Sequence, residues 1–154
     1  MYDDDCGDQS GSAYVFEDNG TDWVQLAKLT ASDGAAGDEF GYSVSLSGTM
    51  ALIGAYQDND CGDGSGSAYL FEDNGTAWVQ VGKLTASDGA ADDWFGLSVS
   101  VSGTTALIGA YRDSDLGTWS GSAYIFTPIP EPATMLLVAT GALGLLGSLR
   151  RRRR

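Results

Sequence analysis

The sequence predicts an all-β chain built of four-stranded antiparallel blades and followed by a C-terminal transmembrane helix. Three observations predict it. A 55-residue unit repeats along most of the chain, short runs alternate apolar and small polar residues between Gly, Asn and Asp turns, and an uncharged stretch of seventeen residues precedes five arginines.

The string Gly-Ser-Ala-Tyr-x-Phe begins at Gly11, Gly66 and Gly121, and residues 11–65 match 66–120 at 41 of 55 positions, too many for anything but duplication. Within one copy, Ser67-Ala68-Tyr69-Leu70-Phe71 is a first strand. Asn74-Gly75 follows it, the pair that favours a type I′ hairpin because both residues tolerate positive φ. Trp78-Val79-Gln80-Val81 with Lys83-Leu84 forms the returning strand. Residues 87–93 make a Gly- and Asp-rich loop, and Phe95-Gly96-Leu97-Ser98-Val99-Ser100-Val101 then alternates with the period of a half-buried strand. After a turn at Ser102-Gly103-Thr104, the apolar run Thr105-Ala106-Leu107-Ile108-Gly109-Ala110 predicts a strand covered on both faces. Four strands in a unit of this length make one propeller-type blade. The body, residues 1–127, thus holds about two and a third units (11–65, 66–120 and a partial 121–127), an incomplete propeller.

Charge divides the chain differently. The whole carries −13, but residues 1–127 set Lys28, Lys83 and Arg112 against twenty acids for −17, while 128–154 set five Arg against Glu131 for +4. An acidic body excludes nucleic acid as a partner, since phosphate binding needs clustered Lys and Arg. The absence of histidine excludes His-based triads, His general bases and the common zinc sites. Cys6 and Cys61 occupy equivalent positions in neighbouring units. With blades stacked about 10 Å apart they lie too far from each other for a disulfide. Trp23 and Trp78 also recur in register and are expected to pack between blades. Trp94 and Trp119 do not recur and are expected at an exposed edge. Turn formation and solubility account for Asp33, Asp38, Glu39, Asp88, Asp92 and Asp93 before the Phe-Gly strands.

Phe40-Gly41 with Gly54-Ala55-Tyr56, and Phe95-Gly96 with Gly109-Ala110-Tyr111, resemble the FG-GAP repeats of integrin α-subunit propellers and their bacterial relatives. The resemblance implies a seven-bladed ring with calcium loops after the GAP element. Two and a third units cannot close such a ring, and Asp3-Asp4-Asp5-Cys6-Gly7 at the start aligns with residues 58–62, in the middle of a unit. The expectation is therefore a fragment of a longer propeller with open edges that invite pairing. In the second unit, Asp58 and Asp60 stand two apart, so one tight turn points both at one centre. Gly62 allows the bend and Asp63 offers a third carboxylate, which suits a hard cation seeking six to eight oxygens. Asp3, Asp5 and Asp8 repeat the arrangement. Asp113 and Asp115 keep two of the acids but have Thr118 and Trp119 beyond them, so this loop is expected to bind calcium weakly or not at all. Against the family's Asp-x-Asp-x-Asp-Gly-x-x-Asp loop, Gly62 and Gly66 replace the fifth- and ninth-position acids. The alternative reading of all three loops is a solvated Asp/Gly turn with Asx-type backbone bonds.

Pro128-Ile129-Pro130-Glu131-Pro132 ends regular structure, and residues 133–149 are uncharged and rich in Leu, Ala and Gly, about 25 Å long as a helix. Arg150, Arg151, Arg152, Arg153 and Arg154 hold the cytoplasmic side. The order Pro130-Glu131-Pro132, apolar span and arginine cluster resembles the PEP-CTERM sorting signal of Gram-negative bacteria. That resemblance implies export, recognition by an exosortase and a cell-surface or extracellular destination, with exopolysaccharide or surface proteins as partners. Met1-Tyr2-Asp3-Asp4-Asp5 is the opposite of a secretory leader, in keeping with the fragment expectation. The leading functional expectation is a non-catalytic, calcium-binding surface protein for adhesion or matrix association. The alternatives are a remnant of a propeller-bearing secreted hydrolase and a truncated product without function.

Overall fold

A computed structural model describes residues 4–129. Nine strands occur among them: β1 (Ala13–Asp18), β2 (Trp23–Leu29), β3 (Ser43–Ser47), β4 (Met50–Ala55), β5 (Ser67–Asp73), β6 (Trp78–Leu84), β7 (Phe95–Ser102), β8 (Thr105–Ala110) and β9 (Ser122–Phe126). They form three antiparallel sheets ordered β1-β2, β3-β4-β5-β6 and β7-β8-β9. The complete four-stranded sheet begins inside one sequence unit and ends inside the next. The seam at residues 65 and 66 falls between β4 and β5, which pair directly, Ile53 opposite Tyr69.

The expected strands form where the alternation placed them, and the turns show why. Between β5 and β6 the connection is four residues, with Asp73 opposite Trp78, rather than the two-residue type I′ turn that Asn74-Gly75 suggested. Only Gly75 takes positive φ, at 85°. Asn74 instead turns its side-chain oxygen inward to accept from the amides of Thr76 and Ala77, 3.0 Å each, and from the Thr76 hydroxyl at 2.7 Å. An Asx acceptor of this kind replaces a second left-handed residue.

Two cores separate the three sheets. Leu29, Ala31, Phe40, Ala51, Ile53, Ala55, Tyr69 and Phe71 fill the space between the first and second. Met50, Leu52, Ala68, Leu70, Phe95, Val101, Ala106, Ile108 and Ala110 fill that between the second and third, where Ile129 also inserts. The central sheet is thus apolar on both faces, and β4 is buried along its whole length. Strand β8, with the same Ala-Leu-Ile-Gly-Ala, alternates between buried and exposed, and Leu107 is 44% exposed. This corrects the expectation of a doubly covered strand at 105–110: no described sheet lies beyond the third, so one face of β8 meets water. The same cause acts at the other end, where Tyr14 and Phe16 are exposed while their equivalents Tyr69 and Phe71 are buried.

The Phe-Gly and Gly-Ala elements join the sheets. Phe95 packs edge-on to Tyr124 and Phe126, with centroids 5.4 and 6.1 Å away, and Phe40 does the same against Tyr69 and Phe71. Behind each phenylalanine the glycine lets two backbones touch. A Cβ on Gly54 would stand under 3.0 Å from the Gly96 carbonyl oxygen, and one on Gly96 equally close to that of Ser67. Ser43 donates its hydroxyl to the same Gly96 carbonyl at 2.7 Å. The motif is a joint in which small residues let adjacent sheets approach.

Candidate functional site

The segment between β4 and β5 holds its shape through its own backbone and short side chains. Gly62, at φ 135°, makes the sharp bend, and Gly66 N–H donates to the Asp58 carbonyl at 2.8 Å. Asn59 Oδ1 accepts from Gly64 N–H at 2.7 Å, and Asp58 Oδ1 accepts from Asp60 N–H at 3.0 Å. The loop also zips onto the one preceding β7: Asp92, Trp94 and Phe95 amides donate to the carbonyls of Asp63, Gly64 and Ser65 at 2.8 to 3.1 Å. It therefore presents Asp58 from a rigid seat.

The other Asp58 oxygen faces a cation already supplied by the chain. Oδ2 accepts from Tyr69 Oη at 2.7 Å and from Lys83 Nζ at 3.0 Å. The same ammonium lies 2.7 Å from Asp33 Oδ2 and 2.5 Å from Asp60 Oδ2, and 5.1 Å from the Tyr69 ring centroid. Tyr69 and Lys83 are directly opposite in the β5–β6 ladder, which aims Nζ along the tyrosine toward the loop. Burial works to lower the Lys83 pKa, but Asp33, Asp60, Tyr69 and Asp58 outweigh it and hold the ammonium above the ordinary lysine value. Burial likewise works to raise Asp33, yet hydrogen bonds from Lys83 and Tyr69 leave it below the usual carboxylate range.

The copies differ. In the first, Lys28 pairs with Asp5, and its Nζ stands 5.6 Å from the Tyr14 ring centroid. Asp3 lies outside the described residues, and Asp8 is exposed, its carbonyl accepting from Gly37 N–H at 2.9 Å. In the third copy the frame recurs: Asp115 N–H donates to Asp113 Oδ1 at 3.0 Å and Gly121 N–H to the Asp113 carbonyl at 2.8 Å. Here Tyr124 Oη bridges Asp113 Oδ2 at 2.9 Å and Asp88 Oδ1 at 2.8 Å. No lysine accompanies them among the described residues. The Asp113 and Asp88 charges push the Asp115 pKa up. Asp113 itself is held down by the Asp115 amide, against its burial and with help from Tyr124 and Ser122.

The structure thus brings Asp58 and Asp60 together, but on Lys83, and Asp113 near Asp115; Asp63 stays exposed. Among the described residues no three Cys, Asp or Glu side chains are grouped so as to hold a metal ion. As arranged, the Asp58 donors do not fit calcium, because an ammonium already stands among them. Lys83, Asp33, Asp88, Tyr69 and Tyr124 are the members that sequence reasoning missed. Their signal was recurrence, since lysine, tyrosine and aspartate each return in register with the loop. Asp38 and Asp93 do what turn formation predicts, accepting from Ala35 and Ala90 amides at 2.7 Å. Cys6 and Cys61 are free and exposed.

A row of rings crosses the sheet junctions near these loops: Tyr42, Tyr56, Trp94 and Tyr111, with successive centroids 4.6, 5.3 and 6.4 Å apart. The Arg112 guanidinium lies 3.5 Å from the Trp94 centroid. Trp94 is therefore half-buried, whereas Trp119 is exposed as expected; Tyr42 and Tyr111 are exposed too. Trp78 packs on the first core, but its equivalent Trp23 is 72% exposed, with no sheet packed over it among the described residues.

Stacked antiparallel sheets joined by Phe-Gly and Gly-Ala contacts in a duplicated unit define an all-β repeat protein. The chain belongs to the FG-GAP repeat family, which matches residues 23–71 and 78–126. The PEP-CTERM protein-sorting motif matches residues 128–154. No curated protein matches the chain. The sorting motif implies processing by exosortase and an exported, surface-anchored protein. Pro130, Glu131, Pro132, the apolar span 133–149 and Arg150 to Arg154 lie outside the described residues. Among those described, no helix is long and apolar enough to cross a membrane.

Proposed function

We propose that the chain is a non-catalytic surface protein whose β body serves adhesion or matrix association, delivered through its PEP-CTERM tail. The observation that carries the reading is the aromatic row, in which Tyr42 and Tyr111 are exposed and to which Arg112 links exposed Trp119, in a chain that also carries the sorting motif. Rings of this kind supply contact area at low entropic cost to a polysaccharide or a surface protein. The acids support a structural part rather than catalysis, since they are spent on lysine, tyrosine and backbone amides in loops that repeat. Calcium, which FG-GAP repeats commonly bind, carries no step of this reading.

The test is fractionation and matrix retention in a host with an exosortase. Replacing Pro130, Glu131 and Pro132 by Ala should stop sorting to the surface. Replacing Tyr42, Tyr111 and Trp119 by Ala should leave sorting intact and lower retention in the extracellular matrix at least about tenfold, as for loss of interface anchors. Unchanged retention would refute the adhesion reading.

A further inference from the structure

The disagreement between the expected calcium loop and the observed one carries an inference that does not rest on the adhesion reading. We infer that the Lys83 ammonium permanently takes the place of the divalent cation at residues 58–66, so that this loop is held by a cation belonging to the chain and does not bind calcium.

Three observations support it. First, the ammonium already compensates the acids: carboxylate oxygens of Asp58 and Asp60 from the loop, and of Asp33 from outside it, surround Nζ at 3.0, 2.5 and 2.7 Å. Second, it cannot readily leave. The side chain is only 18% exposed, and its place opposite Tyr69 keeps the stem lying along that ring. A calcium ion entering beside it would face a like charge within a few ångströms in a half-buried site. One expelling it would strand a lysine that has lost three carboxylates. Third, the device occurs twice, since Lys28 opposite Tyr14 pairs with Asp5 in the preceding copy. The third copy shows the pattern without its lysine: only the single phenolic proton of Tyr124, within hydrogen-bond distance of both Asp88 and Asp113, stands between those carboxylates.

Backbone amide NMR of the full chain during a calcium chloride titration decides the matter, because it reads the loop separately from the other two. The amides of residues 58–66 and of Lys83 are expected to stay unmoved at millimolar calcium in the wild type. Lys83→Met is expected to melt about 5–10 °C lower in the presence of a chelator. Lys83→Arg, which keeps a cation at that position, should recover part of the loss. Saturable shifts at 58–66 in the wild type would overturn the inference, and so would a Lys83→Met protein that melts with the wild type. If Lys83→Met fails to fold, the wild-type titration alone still decides.

Discussion

Strands β4 and β8 carry the same five residues, Ala-Leu-Ile-Gly-Ala, and live in different surroundings. In β4 every residue is buried, because a sheet lies on either side. In β8 one face packs on the central sheet and the other is open. The adjoining acidic loops differ in the same way: the one after β4 has Lys83 from the fourth strand of its sheet, whereas the one after β8 lacks that strand among the described residues. Identical sequence therefore gives unlike stability and electrostatics, and the neighbour decides which.

The sharpest way to break this comparison is at the glycines. Gly54→Ala drives a methyl into the Gly96 backbone and should cost about 4 kcal/mol, read by chemical denaturation. Gly109→Ala meets first only the Ser98 hydroxyl, which can rotate away, and should cost under about 1 kcal/mol. Next come the leucines. Leu52→Ala, in the sealed core, should lose about 3 kcal/mol, and Leu107→Ala less than about 1 kcal/mol. Equal losses in either pair would mean that β8 is covered in solution. Smaller again, Tyr69→Phe removes a bond to the Asp58 carboxylate at no cost in volume and should lower stability by about 1.5 kcal/mol.

The smallest effects have opposite signs with pH. Asp33 has a folded pKa below its unfolded one, so its contribution is present above about 3.9 and lost as pH falls through the folded value. Asp33→Asn should thus lower Tm near neutral pH, with the difference fading in acid. Asp115 has a raised folded pKa, so the native state takes up a proton first and the repulsion eases as pH falls. Asp115→Asn should raise Tm slightly near neutral pH, with a gain that shrinks in acid and in high salt. Melting both variants across that range checks the signs.

Much of this was legible in the sequence, and the reason lies in the type of signal. The strands at Ser67-Phe71, Trp78-Leu84 and Phe95-Val101 were visible because alternation and turn residues are local. The sheet composition was not, since Ile53 pairs with Tyr69 across the seam of the repeat and nothing local sets where a sheet begins. Nor could 105–110 reveal that one face would be open, because its residues match those of β4. At the loops, Asp58 and Asp60 were found as close neighbours in sequence. Their cation was overlooked because Lys83 reaches them from two strands later, and Asp33 from the connection between β2 and β3.

The Gly54–Gly96 joint has an evolutionary consequence. Each unit carries one half of the contact at its Gly-Ala-Tyr element and the other half at its Phe-Gly element, so a duplicated unit arrives with both ends already fitted to its neighbours. The array can grow or shrink by recombination in whole units without any new interface chemistry. A deletion of any other length would set a side chain against a carbonyl that leaves room only for hydrogen.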